Sequence, residues 1–216
     1  MRTPKFRLLS LVLLALAALP LLGQRASNRL RPSPNASVSQ TIGVTEVTLS
    51  YSRPGAKGRK VWGELVPYGQ LWRTGANEAT TISVSKDVLI EGQKLAAGTY
   101  ALFTLPTENE WTVVFNKNAK LWGTRDYDAA QDALRIKVKP QPADHEEWMS
   151  FRFTDLTDSS ATLVLRWEKL AVPLKLQEAP APPAGPAPSE EKKPAAAAES
   201  DPRPEGSGVW QFDTGG

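Results

Sequence analysis

From residue 36 to residue 177 the hydrophobic pattern repeats every second residue, and that period restricts the chain to strands. "VTEVTLSY" (44–51) sets Val47, Leu49 and Tyr51 against Glu46, Thr48 and Ser50. "TISVS" (81–85) sets Ile82 and Val84 against Thr81, Ser83 and Ser85. "LRIKVK" (134–139), "WMSFRF" (148–153) and "TLVLRW" (162–167) alternate in the same way. Alternation over four to eight residues marks a half-buried strand, because successive side chains leave a strand on opposite faces. "YALFTL" (100–105) and "WTVVF" (111–115) are apolar on both faces and read as central strands.

Turn chemistry separates these runs. Glu91-Gly92 follows "VLI" as a tight turn, and "PTENE" (106–110) and "DLTDSSA" (155–161) read as hairpin loops. Pro173 interrupts the last strand, which predicts an edge or a bulge. Only "DYDAAQDA" (126–133) looks helical, with Asp126 or Asp128 as N-cap. About nine short strands and one helical turn predict an all-β chain: an antiparallel β-sandwich, or a partly closed barrel.

The two ends stand apart from this pattern. Residues 1–26 place Arg2, Lys5 and Arg7 before an apolar run from Leu8 to Leu22, the layout of an export signal. No clean small-x-small cleavage site follows, so an uncleaved anchor is the alternative to a periplasmic or secreted chain. No cysteine is present, so a lipidated cysteine, disulfides, thiol catalysis and cysteine metal sites are all excluded. Stability must then come from an apolar core. Residues 27–35 form a short N-terminal segment, 36–177 the sandwich domain, and 178–216 a Pro/Ala-rich tail. That tail composition cannot bury enough apolar surface to offset chain entropy, which predicts disorder. Trp210 and Phe212 lie near its end, either as a chance apolar pair or as a short motif that docks on an envelope protein.

The formal charge of +3 misleads. Four of the 26 cations, Arg2, Lys5, Arg7 and Arg25, lie in the leader, leaving 22 against 23 acids. Residues 36–178 hold 17 of each sign. Nucleic acid binding calls for a basic domain or stripe, so it is not expected. A membrane partner is expected only through an uncleaved leader.

The alternation stops between Arg53 and Ala79: "RPGAKGRKVWGELVPYGQLWRTGANEA", 27 residues with five glycines. Connections beyond about 12–15 residues are uncommon in compact domains unless functional or disordered. Disorder would leave Trp62, Leu65, Val66, Tyr68, Leu71 and Trp72 in water. An ordered flap is predicted, with a short helical turn over 61–66.

The string "TLSYSRPGAKGRKVWGELVPYGQLWRTGANEATTISVSKDV" resembles bacterial exported proteins of the domain-of-unknown-function family numbered 2911. The likeness continues through "LAAGTYALFTLP", "EWTVVFNKNAKLWGTRDYD" and "TDSSATLVLRWEKLAVPLKL", and covers about residues 33–177. It implies a secreted or envelope β-rich domain and brings no activity, cofactor or catalytic residue with it.

Three groups of residues could carry chemistry. Arg53, Lys57, Arg59 and Lys60 put four cations in eight residues without an acid, a patch that could attract an anion among glycine-exposed backbone N–H groups. The alternative is a solvated tip whose cations pair with Glu64, Glu78 or the acids at 126–128. No Walker spacing is present. Second, "KVWGE", "QLWRT" and "KLWGT" repeat an aliphatic-Trp pair. Trp62, Trp72 and Trp122 could stack on a sugar ring, with Tyr68 on the same flap, while Arg73, Asn77 and Glu78 supply polar contacts at its rim. The alternative is that the tryptophans seal the core. Third, Glu78 with Glu64 or Asp126 could form the carboxylate pair of a glycan hydrolase; alternatively Glu78 pairs with Arg73 and pins the turn. The single histidine, His145, lies among acids without a serine elbow, and no cofactor or metal is expected. Three readings follow: a non-catalytic module binding a glycan or small anionic ligand, a carboxylate-dependent glycan hydrolase, or a purely structural β-domain.

Overall fold

The computed structural model describes residues 30–180; the leader and the tail after Pro180 lie outside them. The chain is all-β. Ten strands form in order: β1 (Asn35–Ile42), β2 (Thr45–Ser52), β3 (Thr80–Val84), β4 (Val88–Ile90), β5 (Gln93–Leu95), β6 (Gly98–Leu105), β7 (Trp111–Asn116), β8 (Asp132–Val138), β9 (Gln141–Thr154) and β10 (Ser160–Glu178). They make a six-stranded sheet, β1-β2-β3-β6-β7-β8, and a four-stranded sheet, β5-β4-β10-β9, every pair antiparallel. Both sheets are open, so the sandwich holds and the barrel does not.

The inward residues of both sheets make one core. Val47, Leu49, Ile82 and Val84 from the larger sheet share it with Val88, Ile90, Leu163, Leu165, Trp167 and Leu176 from the smaller. Burial alternates along these stretches, so the period of two places the core.

β6 and β7 are central, as their two apolar faces predict. Their outer faces carry a second cluster of Ala101, Phe103 and Val114, covered by Ala79 and Leu121, with Leu71 and Tyr127 against it. The outer face of the larger sheet is thus roofed where the 71–79 and 116–127 segments cross it.

The sequence and the structure part at four places. β1 and β5 are additional strands, because "NASVSQTI" and "QKL" carry too few apolar residues to stand out. "TLVLRW" and the run through Pro173 fuse into the 19-residue β10. Pro173 lies where β10 is in ladder register with neither neighbour. The last β9 pair is Ala171–Gln141 and the first β4 pair is Leu176–Ile90, so the missing N–H falls between two ladders. The helical stretch shrinks to a 3-10 turn, Ala129–Gln131, capped by Asp128, whose carboxylate accepts from the Ala130 N–H at 2.9 Å. Glu91 and Gly92 both have positive φ (48° and 76°) in the two-residue β4–β5 turn, the twist a tight hairpin requires.

β2 ends at Ser52, β3 begins at Thr80, and the two pair antiparallel. The flap is therefore the loop of a single hairpin.

Candidate functional site

The flap has three parts with three different anchors. Its first part, residues 53–60, docks on β9. Ala56 N–H donates to Glu147 O, and Met149 N–H to Pro54 O. The Arg53 guanidinium donates to the Met149 and Trp148 carbonyls, at 2.7 and 3.3 Å. Arg59 donates to Ala56 O and Gly55 O, tying the loop to itself. Lys57 has positive φ (52°), and its ammonium sits 5.7 Å from the ring centre of Trp148, itself 38% exposed. Lys60 pairs with Glu64 at 3.2 Å across an exposed i,i+4 spacing. Of the partners expected for this patch, Glu64 is the one found. Arg53 and Arg59 brace backbone carbonyls.

The middle part enters the core. Val61, Trp62 and Val66 are buried, and the stretch closes through Val66 N–H to Val61 O and Gly63 N–H to Val66 O, a turn rather than the helical turn predicted over 61–66. The half-buried Tyr68 ring lies over Gly63, where a Cβ would meet it at 3.1 Å. Trp62 stands edge-on to Trp111, Trp167 and Trp72, with ring centres 4.9, 5.6 and 5.9 Å away. Trp72 stacks on Trp167 at 5.9 Å and 23°. Trp111 opens β7 in one sheet and Trp167 lies on β10 in the other, so two flap tryptophans join the sheets through an aromatic cluster. The expected groove of Trp62, Trp72 and Trp122 is not formed. Trp62 is 8% exposed and Trp72 packs on the core, whereas Trp122 is 62% exposed. Two of the three tryptophans seal the sandwich because each finds an aromatic partner on an inward strand position.

The last part, residues 71–79, brings several predicted residues together. Trp72 exchanges backbone bonds with Thr104 of β6 (2.8 and 2.9 Å), which carries the ladder beyond the end of β3. Thr74, with φ 52°, is buried; its hydroxyl donates to Thr104 Oγ1 (3.2 Å), and its carbonyl accepts from Thr80 Oγ1 (2.7 Å). The backbone on both sides of Arg73 is therefore held. The Glu78–Ala79 stretch pairs with Leu121–Trp122: Ala79 N–H donates to Leu121 O, and Glu78 and Trp122 form a bridge. Asn77, with φ 61°, donates from its amide to Ser33 O at 3.2 Å.

Glu78 pairs with Arg31, not with Arg73. Two bonds of 2.8 and 2.9 Å join the carboxylate to the guanidinium in a fork. The Glu78 bond and charge raise Arg31 above its ordinary value. Arg31 lies 47 positions from Glu78, and no local pattern marks it, which is why sequence reasoning missed it. Both Glu78 oxygens thus face a cation, Glu64 pairs with Lys60, and Asp126 is exposed. These carboxylates are engaged by cations or water rather than paired with one another.

That arrangement leaves Arg73 in an unusual state. It is half-buried, its Nε is buried without a hydrogen-bond partner, and among the described residues no carboxylate pairs with it. Burial lowers its pKa below the ordinary arginine value. Its Nη1 lies against Gly123 (φ 72°), where an added Cβ would come within 3.0 Å. Trp122, the exposed aromatic, is the next residue along that loop. A fork of N–H donors without an acceptor, beside an open aromatic, can hold a carboxylate or phosphate. Among the described residues no group of three His, Asp or Glu side chains is placed to hold a metal ion.

Residues 33–176 match the model of a family described as "Protein of unknown function (DUF2911)". Comparison with curated proteins and with solved structures found no match.

Proposed function

Because the chain belongs to this family of unknown function, its activity has to be argued from its own residues, and we propose that it is a non-catalytic binding module for an anionic ligand. Carboxylate-bearing glycans are the class that uses the site best. The observation that carries this reading is Arg73: a charged side chain half out of water, on a pinned backbone, with no partner among the described residues. Leaving a buried donor unsatisfied costs about 1–3 kcal/mol. The buried Nε itself stays out of a ligand's reach, so what a ligand carboxylate would supply is the counter-charge that the guanidinium lacks among the described residues. The exposed Trp122 offers a flat apolar face to a sugar ring, and Asn77 and the Arg31–Glu78 pair supply a polar rim beside it. The basic-then-apolar leader supports a site of action outside the cytoplasm.

Glu78 acts here as an orienting group rather than an acid or base, because both of its oxygens accept from the Arg31 guanidinium. The first part of the flap has a structural role, and its cations contribute charge without direct ligand contacts.

The test is a titration of the protein with glucuronate and with glucose, followed by quenching of tryptophan fluorescence. Glucuronate is expected to quench and glucose to do so at least tenfold more weakly. Arg73→Met abolishes the difference, and Trp122→Ala removes most of the signal. Equal binding of both sugars by the Arg73→Met variant and the wild type would sink the proposal.

A further inference from the structure

The main chain around Arg73 has its carbonyls satisfied and its N–H groups not. From Trp72 to Gly75 every carbonyl accepts a bond from within the hairpin or from β6. Trp72 O takes the Thr104 N–H (2.9 Å), Arg73 O the Thr80 N–H (3.2 Å), Thr74 O the Thr80 hydroxyl (2.7 Å) and Gly75 O the Trp72 indole N–H (3.0 Å). The donors are in the opposite state. Among the described residues, none of the five main-chain N–H groups from Arg73 to Asn77 has a partner. Thr74 and Gly75 are nevertheless buried, and Ala76 and Asn77 half-buried. Buried main-chain N–H groups are rarely left without an acceptor.

Peptide geometry gives the direction of these donors. In a trans peptide the N–H of one residue points opposite to the C=O of the residue before it, and no described peptide is cis. Thr80 pairs with Leu102 and shares its inward face, and Trp72 packs on the same core. The Thr74 and Gly75 carbonyls therefore point towards the core layer. The N–H groups of Gly75 and Ala76 point to the other, outer side of the turn. Arg73 Nη1 lies on that side too, against Gly123, in the same loop as Leu121 of the outer cluster. Thr74 makes the arrangement. It is left-handed (φ 52°) while Gly75 is not, and a turn of mixed hand gathers successive N–H groups into a concave anion cradle. A β-branched side chain resists that conformation. Two bonds impose it, from the Thr74 hydroxyl to Thr104 Oγ1 and from the Thr80 hydroxyl to the Thr74 carbonyl. Backbone strain held in place this way clusters at binding sites.

We propose that the Thr74–Ala76 turn is the main-chain half of the anion site, and that the ligand's anionic group spans both halves. One oxygen sits on the Arg73 guanidinium and another on the N–H groups of Gly75 and Ala76. The inference rests on the Arg73 reading above and narrows its ligand. The bound group must carry at least two oxygens on one centre, as a carboxylate, a sulfate or a phosphate does, because a single point charge engages one half only. Glu78, the acid nearest in sequence, is turned to Arg31 and does not fill the cradle.

The experiment follows the isotope-labelled protein, as purified from cells, by amide NMR during the glucuronate titration, with glucose as the control. Glucuronate is expected to move the Gly75 and Ala76 amide protons downfield, saturating together with the tryptophan quench, and glucose to leave them in place. The Lys57 amide, already bonded to Glu147 at 2.7 Å, stays where it is. Ala76→Pro deletes one donor and should weaken glucuronate binding about tenfold, the worth of one hydrogen bond to a charged group. Ala76→Gly keeps the donor and should bind like wild type. If Ala76→Pro loses its fold by circular dichroism, the amide shifts of the wild type decide alone. Quenching by glucuronate without movement of the Gly75 and Ala76 amides overturns this inference and leaves the Arg73 reading standing. A folded Ala76→Pro variant that binds like wild type does the same. A wild-type protein that does not respond to glucuronate overturns both.

Discussion

Trp62 offers a sharp test of how the flap is held. Its ring is 8% exposed and edge-on to three other tryptophans, yet its indole N–H is buried without a partner. Two quantities oppose each other. Truncating a buried aromatic to alanine costs about 3–5 kcal/mol, whereas an orphaned donor costs about 1–3 kcal/mol in the wild type. Trp62→Ala removes both, so the loss should lie near the lower end, about 3 kcal/mol. At about 2–4 °C per kcal/mol for a domain of this size, the melting temperature falls by roughly 10 °C. Trp62→Phe keeps an aromatic edge, relieves the orphan and leaves a small void; its net change should stay within about 1 kcal/mol of zero. Trp72 supplies the contrast, because its indole donates to Gly75 O at 3.0 Å. Trp72→Phe breaks that bond and strands a buried carbonyl, so it should cost about 1–2 kcal/mol more than Trp62→Phe. Urea unfolding followed by far-UV circular dichroism gives all three values. A Trp62→Phe variant as unstable as Trp62→Ala would refute the bookkeeping, as would a Trp72→Phe variant more stable than Trp62→Phe.

Other expectations follow from the same geometry. Arg73→Met should leave the protein at least as stable as wild type, since it removes a half-buried charge without a partner; thermal unfolding beside the glucuronate titration would show stability kept and binding lost. Gly123→Ala forces a Cβ to within 3.0 Å of Arg73 Nη1 at a positive φ of 72°, and should cost about 1–2 kcal/mol while weakening glucuronate binding, read by the same two assays. Tyr127 is pushed up to about 12, first by burial and then by its 2.6 Å bond to Asp132. The folded state favours the neutral phenol, so this stability is complete below about pH 10, where an unfolded tyrosine ionises, and is lost as pH rises towards about 12. Tyr127→Phe should flatten the fall in denaturation midpoint over that interval.

The sequence revealed the sandwich because in most strands buried and less buried residues alternate, and that alternation survives in the letters. "YALFTL" and "WTVVF" were legible as central strands because both of their faces are apolar. β1 was not, since Val38 and Ile42 are its only large apolar residues and its hydroxyls say nothing about pairing. The flap was legible as ordered, because six large side chains could not sit in water. Which way each tryptophan points was not. Trp62 and Trp122 share the motif K-[VL]-W-G, yet one lies among Trp72, Trp111 and Trp167 and the other faces solvent. Two of those partners, Trp111 and Trp167, lie 49 and 105 positions from Trp62, beyond the reach of any local pattern. The partner of Glu78 escaped likewise, because a fork between Arg31 and Glu78 depends on where residues 30–33 run and not on any spacing within the flap.

A 27-residue loop between two paired strands also bears on how such a domain can be altered. Closing so long a loop instead of a two-residue one costs only about 2 kcal/mol in chain entropy, so the hairpin would tolerate a different insert. The aromatic cluster would not. Trp62 and Trp72 fill the gap between Trp111 and Trp167, and a replacement loop without two comparable rings would leave a hole between the sheets. The segment is thus a cassette with a plug attached. After the plug, Arg73 and Asn77 can be exchanged to change what the proposed site would bind, whereas Thr74 and Gly75, packed against Thr104, Thr80 and Ser52, and the residues before the plug stay for the sandwich to remain shut.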